Sequence, residues 1–248
     1  MNIGLLITTC KHYFSNIPNL IKDIEECNFP KENILIVSGQ EDSESTYYYN
    51  DVKVATVTYT GLHLTGVIYL NENRELFNNI NYWILLPDTI QLKKLFYINI
   101  MKYYDKYIKD NEIYSLPFIN TNVRRATMDM GIINIKHIYN MVDYLNKIKK
   151  KQPYSINDIL ELKKQLIYDE NIILGLPATC PSTSTKFKYI NSVYPIPDKF
   201  ITNNAYEITE QKCNINNKLC NIIYFVNLDM FKTQRNFDGP DAKLIMDL

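Results

Sequence analysis

The stretch NIGLLITTCKHYFSNIPNLIKDIEECNFPKENILIVSG, residues 2–39, decides how the chain folds. Its opening run NIGLLITTC (2–10) is apolar without alternation, which suits a strand buried on both faces of a parallel sheet. Ile17, Leu20, Ile21, Ile24 and Cys27 then recur at the spacing of one helix face. Ser15 is placed to cap that helix, and Pro18 is tolerated in its first turn. NFPKEN (28–33) breaks the helix, and ILIVSG (34–39) forms a second buried run. Strand, helix and strand make a β-α-β unit whose strands run parallel through a right-handed crossover.

The pattern continues outward. VKVATVTYT (52–60) reads as a third strand and LTGVIYLNENRELF (64–77) as a helix. In NYWILLPDTIQL (81–92), the fourth strand YWILLPD carries Trp83 as a core residue and stops at Asp88, between Pro87 and Thr89. LKKLFYINIMKYYDKYI (92–108) is expected to be helical, with Leu92, Leu95, Phe96 and Met101 on its inner face. IYSLPFI (113–119) is a strand candidate, whereas IKHIYNMVDYLNKI (135–148) and SINDILELKKQLI (155–167) read as helices, the latter opened by Ser155 and Asp158. Past residue 170, Pro, Ser and Thr indicate loops with short strands, and CNINNKLCNIIYFVNLDMF (213–231) suggests a hairpin turning at Asn216 and Asn217. The expected fold is α/β: a mixed, mostly parallel sheet flanked by helices.

Composition narrows the function. Lys+Arg and Asp+Glu both number 27, so no net field draws nucleic acid or an anionic membrane. No apolar run reaches the length of a membrane span, and the N-terminus lacks a signal-peptide pattern. The expectation is a soluble, cytoplasmic protein. The five cysteines include no pair at zinc-knuckle spacing, and His12, His63 and His137 stand too far apart for a helical zinc motif. There is no G-x-G-x-x-G, no P-loop and no G-x-S-x-G elbow. Twenty tyrosines among many Ile, Asn and Lys reflect an AT-rich coding bias, and STYYYN (45–50) reads as a product of it.

The remaining chemistry lies at strand ends, where ligands of open α/β sheets bind. TTCKH (8–12), SGQED (38–42), TYTGLHLTG (58–66) and LLPDT (85–89) are each polar after an apolar run. Taken singly, each is ordinary solvated loop; taken together, they make a cleft along one edge. Arg124 and Arg125 follow another strand candidate and read as surface charge or as phosphate contacts. Asp129 stands alone in the apolar ATMDMGI (126–132), either as a cap or as a base. A base would take the proton of an attacking hydroxyl in an inverting transfer.

The order of these segments resembles the nucleotide-sugar-binding half of a GT-A-fold, Rossmann-like glycosyltransferase. Enzymes of this kind are found in large DNA viruses and bacterial surface-glycan clusters. The resemblance covers roughly residues 1–140 and rests on TT, SGQED, TG…TG, YWILLPDT and MDMGIINIKHIY (128–139). It implies one GT-A-like domain over 1–248, with a nucleotide-sugar-binding half at 1–125 and an acceptor-side half, irregular toward its end, at 126–248. It implies donor contacts from Thr8, Thr9, Cys10, Ser38, Gln40, Glu41, Asp42, His63, Thr65 and Arg124, and catalytic roles for Asp88 and Asp129. The implied partners are a nucleotide-sugar donor and a glycan or small-molecule acceptor, with no nucleic acid and no membrane span.

In that family the fourth strand ends in a D-x-D motif holding a divalent metal, usually Mn²⁺ or Mg²⁺, on the diphosphate. Here PDT supplies one carboxylate, Asp88, as the metal ligand. Thr89, the diphosphate and water are left to complete the oxygen shell. The alternative is metal-free transfer, with Lys11, Arg74, Arg124 or Arg125 offsetting the leaving diphosphate. The missing second acid also fits a catalytically inactive GT-A-like binding or interaction module. A nucleotidyltransferase would need a Gly-rich, Arg-containing loop after its first strand, and none is present.

Overall fold

Strand β1 (Ile3–Cys10) is buried along nearly its whole length, as its unbroken apolar run requires. The computed structural model describes residues 3–109, 115–120, 125–151, 190–191, 207–209, 212–215, 218–225 and 227–235. After β1, a three-ten turn (Lys11–Asn16) runs directly into α1 (Ile17–Glu26). Ser15 therefore lies inside that turn and not at a helix cap. Ile17, Leu20, Ile21 and Ile24 of α1 are buried, each burial being worth roughly 1.5–3 kcal/mol. The helix ends where Asn28 takes φ 55° and donates its N–H to the Glu25 carbonyl.

β2 (Ile34–Gly39) completes the β-α-β unit and pairs parallel with β1, Leu5 opposite Ile34. β3 (Ser45–Tyr49) and β4 (Val52–Thr56) form a hairpin around Asn50 and Asp51, both at positive φ. The expected third strand thus stops at Thr56, and β5 (Tyr59–Thr60) pairs instead with β10 (Lys150–Lys151). STYYYN, read from composition alone as coding bias, is an ordered edge strand.

Among the described residues the further elements are α2 (Thr65–Glu72), β6 (Tyr82–Pro87), β7 (Ile90–Leu92), α3 (Phe96–Tyr107), β8 (Ser115–Asn120), β9 (Arg125–Asn134), α4 (Ile135–Asn140), α5 (Val142–Ile148), β11 (Ile190–Asn191), β12 (Glu207–Thr209), β13 (Lys212–Ile215), β14 (Lys218–Phe225) and β15 (Met230–Arg235). The large sheet has the order β11-β8-β9-β6-β1-β2-β4-β3. β1, β2, β4, β6, β8 and β11 run one way, and only β3 and β9 oppose them. The architecture is α/β, a mixed and mostly parallel sheet flanked by helices.

Side-chain alternation along β1 sends Leu5 and Ile7 to one face and Leu6 to the other. The first face packs under α1 and α3, and the second under α2, α4 and α5. Trp83 on β6 is fully buried in the second layer, edge-on to Phe77 with ring centroids 5.4 Å apart. Its cross-strand partner on β1 is Gly4, where a Cβ would stand 2.7 Å from the indole. Glycine is therefore what lets the ring lie flat against β1.

Three expectations are corrected here. Leu92 belongs to strand β7, and the following helix starts only at Phe96. Leu95 is 49% exposed and not on an inner face, whereas Phe96 and Ile100 are buried. The single helix expected over 135–148 is two, broken at Met141. β7 escapes helix because a second sheet, β12-β13-β14-β15-β7, offers it a partner. Tertiary pairing overrides local helical spacing there. The hairpin expected near Asn216 and Asn217 forms, with Ile215 opposite Lys218 and Cys213 opposite Cys220. The 155–167 segment lies outside the described residues.

The chain just past Asp88 is gripped from both sides. Lys93 donates its N–H to the Asp229 carbonyl at 3.0 Å, and Leu95 donates to the Asp229 carboxylate at 3.0 Å. From the other side, Asp23 of α1 accepts the Leu92 N–H. Burial raises the Asp23 carboxyl from 3.8 to about 7, only partly offset by Lys93. The raised value means the folded state favours the protonated acid. This contribution is fully present below about pH 4 and is lost as pH rises through 7. Urea unfolding of wild type and Asp23→Asn should therefore diverge with pH. The variant should gain on the order of 2 kcal/mol relative to wild type between pH 5 and pH 8, and a pH-independent difference would contradict the assignment.

Candidate functional site

The carboxyl ends of β1, β2 and β6 meet along one edge because the three strands are adjacent and parallel. Thr8 lies opposite Val37 and Pro87, and Thr9 opposite Ser38. The Asp88 N–H donates to the Thr8 carbonyl at 3.1 Å, extending the β1–β6 ladder by one bond. The Thr9 hydroxyl then donates to Asp88 Oδ2 at 2.7 Å, and Thr9 is buried. A carboxylate held this way keeps one orientation at the mouth of the sheet.

The β2 end is organised by a sharp turn. Gln40 takes φ 64° and donates its N–H to the Tyr59 carbonyl, and Glu41 donates to the Val57 carbonyl. The buried Ser38 hydroxyl donates to Glu41 Oε1 at 2.5 Å. Asp42 is 86% exposed and holds Lys11 at 2.6 Å, linking the loops after β1 and β2 across the edge. Cys10 is half-buried at the end of β1.

The N-terminus of α2 is brought against the same edge by glycines. A Cβ on Gly66 would stand 2.7 Å from the Thr8 hydroxyl, and one on Gly39 would stand 3.0 Å from the Thr65 methyl. Without side chains at either place, the helix start settles directly on the ends of β1 and β2. Helix N-termini favour anions through their unsatisfied N–H groups and the aligned peptide dipoles. Thr65 is buried, donating to the Leu62 carbonyl at 2.6 Å and accepting from Gly61 N–H at 2.9 Å. Its hydroxyl is thereby engaged in shaping the loop before α2, in which His63 is half-buried.

Asp129 lies on β9, where a turn or helix cap was one reading. The paired register of β6 and β9 ends with Leu85 opposite Gly131, two residues from Asp129, and the β8–β9 register shifts between Gly131 and Ala126. Arg124 lies outside the described residues. Arg125 opens β9 opposite Asn120, away from the paired part of β6.

Arg74 is not at this edge. It follows the C-terminal end of α2, about 12 Å of helix from that helix's first residue. There its guanidinium donates to Asn71 and to the Tyr139 carbonyl and lies 4.4 Å from the Tyr139 ring centroid. Its role is to fasten α2 to α4.

Lys232 carries no local mark in the sequence. It is 8% exposed on β15 and lies opposite Ile90, two residues beyond Asp88. β15 continues past that pair to Arg235, toward the Asp88 turn. Only the long-range β7–β15 pairing brings this basic stretch near the edge.

Among the described residues no group of three or more His, Cys, Asp or Glu could hold a metal ion. A protein-built metal cage therefore does not fit these residues. One carboxylate fits an ion that arrives with its remaining oxygens supplied by diphosphate and water. No helix among the described residues is long and apolar enough to cross a membrane.

No protein-family model matches the chain, and no curated protein matches it. Among solved structures, it is similar to the crystal structure of S. aureus TarS 1–349, with 14% identity and a TM-score of 0.38. That match covers 66% of this chain and 55% of the other. A second crystal structure of S. aureus TarS matches at 12% identity and a TM-score of 0.36, covering 71% of this chain and 41% of that one. The chain thus matches about half the length of the structures it is similar to.

Proposed function

We propose that the chain is a glycosyltransferase that moves a sugar from a nucleotide-diphosphate donor to a hydroxyl of a glycan or small acceptor. The observation that carries this reading is the Thr9–Asp88 hydrogen bond at the junction of β1 and β6. It fixes one oriented carboxylate at the strand ends, where the start of α2 arrives on the opposite face against Thr8.

In this reading the nucleoside lies against the ends of β1 and β2, near Thr8, Thr9, Cys10, Ser38, Gln40, Glu41 and Asp42. The diphosphate meets the start of α2, with Lys11 adding positive charge and His63 in the preceding loop. Asp88 is the carboxylate toward which a Mn²⁺ or Mg²⁺ ion on the diphosphate would be held. Bound there, such an ion neutralises charge on the leaving group. Asp129 takes the proton of the acceptor hydroxyl as its oxygen bonds to the anomeric carbon. The bond from that carbon to the diphosphate oxygen breaks, and the diphosphate departs with the electron pair.

The test is calorimetric titration of UDP- and GDP-sugars, with and without Mn²⁺. One donor class should bind and raise the melting temperature, and Mn²⁺ should strengthen the effect. Absence of binding or thermal shift with every nucleotide tried would sink the proposal. A second reading, an inactive binding module, draws on the lone acid at PDT and the engagement of its Oδ2 by Thr9. Slow donor hydrolysis by the wild type that disappears in Asp88→Ala decides against that module.

A further inference from the structure

β3 is the outermost strand of the large sheet, and all five of its residues are exposed. Monomeric proteins usually blunt such an edge with charge, proline, a bulge or a covering segment. Ser-Thr-Tyr-Tyr-Tyr contains no charge and no proline, and its pairing with β4 runs in unbroken register from Ser45–Thr56 to Tyr49–Val52. Among the described residues nothing pairs with its outer side.

The hairpin geometry states which backbone groups face outward. A two-residue turn with both central residues at positive φ closes on a hydrogen-bonded pair, here Tyr49 with Val52. Hydrogen-bonded and non-hydrogen-bonded pairs alternate from there. Tyr49, Tyr47 and Ser45 therefore bond to β4, while the N–H and C=O of Thr46 and Tyr48 point away from the sheet.

We infer that β3 pairs antiparallel with β3 of a second copy of this chain, on a two-fold axis at Tyr47. The occupant follows from self-complementarity. With the axis at Tyr47, Thr46 of each copy faces Tyr48 of the other, and these are the residues with outward backbone groups. Two such pairs exchange four hydrogen bonds. Ser45 then faces Tyr49 and Thr46 faces Tyr48, so each small side chain meets a large one. Tyr47 meets its own copy at a non-hydrogen-bonded position, where side chains approach most closely. Within the strand no charge opposes like charge. Tyr48, 67% exposed, and the neighbouring tyrosines would lose water-exposed ring area on pairing.

The test is sedimentation velocity of the full chain over a concentration series. Wild type should move from its 29.2 kDa monomer mass toward twice that value as concentration rises. Tyr47→Lys puts like charges on the axis and should remove the dimer. Mixing Tyr47→Lys with Tyr47→Glu should restore it. Should Tyr47→Lys lose its native circular dichroism, Tyr48→Pro serves instead, since it deletes an N–H that β4 does not use. A chain that stays monomeric at every concentration overturns the inference. So does a dimer that survives the folded one of these variants.

Discussion

On the proposed function, Asp88→Ala is expected to lower sugar transfer by at least ~10²-fold while leaving the protein folded, the size of effect that loss of a preorganised charge at a reacting centre gives. Asp88 is at the surface-facing end of β6, in a two-residue turn, so removing its side chain opens no core cavity. The backbone bond from its N–H to the Thr8 carbonyl survives the substitution. Loss of the acceptor for the Thr9 hydroxyl costs about 1 kcal/mol of stability. Asp88→Asn separates two roles. It keeps an oxygen for Thr9 but not the negative charge, so it should melt like wild type and transfer like the alanine variant. Transfer at wild-type rate in Asp88→Asn would show that charge at this position is not used. Kinetics under saturating donor, with thermal melts alongside, make the comparison.

Trp83→Ala is expected to cost about 3–5 kcal/mol, a large part of the roughly 5–15 kcal/mol that holds a domain together. The indole is fully buried between Phe77 and the bare backbone at Gly4, so its removal leaves a void in the second layer. The cavity would adjoin β1 and β6, the two strands whose ends carry Thr9 and Asp88. Denaturant unfolding should show a lower midpoint with an unchanged slope. A loss under 1 kcal/mol would mean that the second layer collapses around the site. Because the same strands position the edge, donor binding should weaken along with stability.

Much of this was readable residue by residue. The unbroken runs at 3–10 and 34–39 and the 17–27 helix spacing specified a parallel β-α-β unit, because strands buried on both faces tolerate no polar alternation. Polar strand ends followed from the same logic, and Thr8, Thr9, Ser38 and Asp88 do converge. Leu92 was misplaced because a three-residue strand has no periodicity of its own and is made by its partner, β15. Arg74 was misplaced because a cation's chemistry does not say at which end of a helix it sits. STYYYN gave no alternation to read, since an edge strand exposed on all five residues has no buried face.

By itself, then, the sequence determined the local elements and the fact that the ends of the buried strands are polar. Hydrophobic period and turn chemistry act over a few residues, and that is the range they encode. Tertiary structure alone decided that Thr9 and Asp88, 79 residues apart, share a hydrogen bond. It alone set Gly39 and Gly66 where α2 touches the strand ends, and brought Asp229 back onto the segment that follows Asp88. These depend on strand order and register, which are settled by which long-range pairings bury the most apolar surface, and no local window contains that comparison.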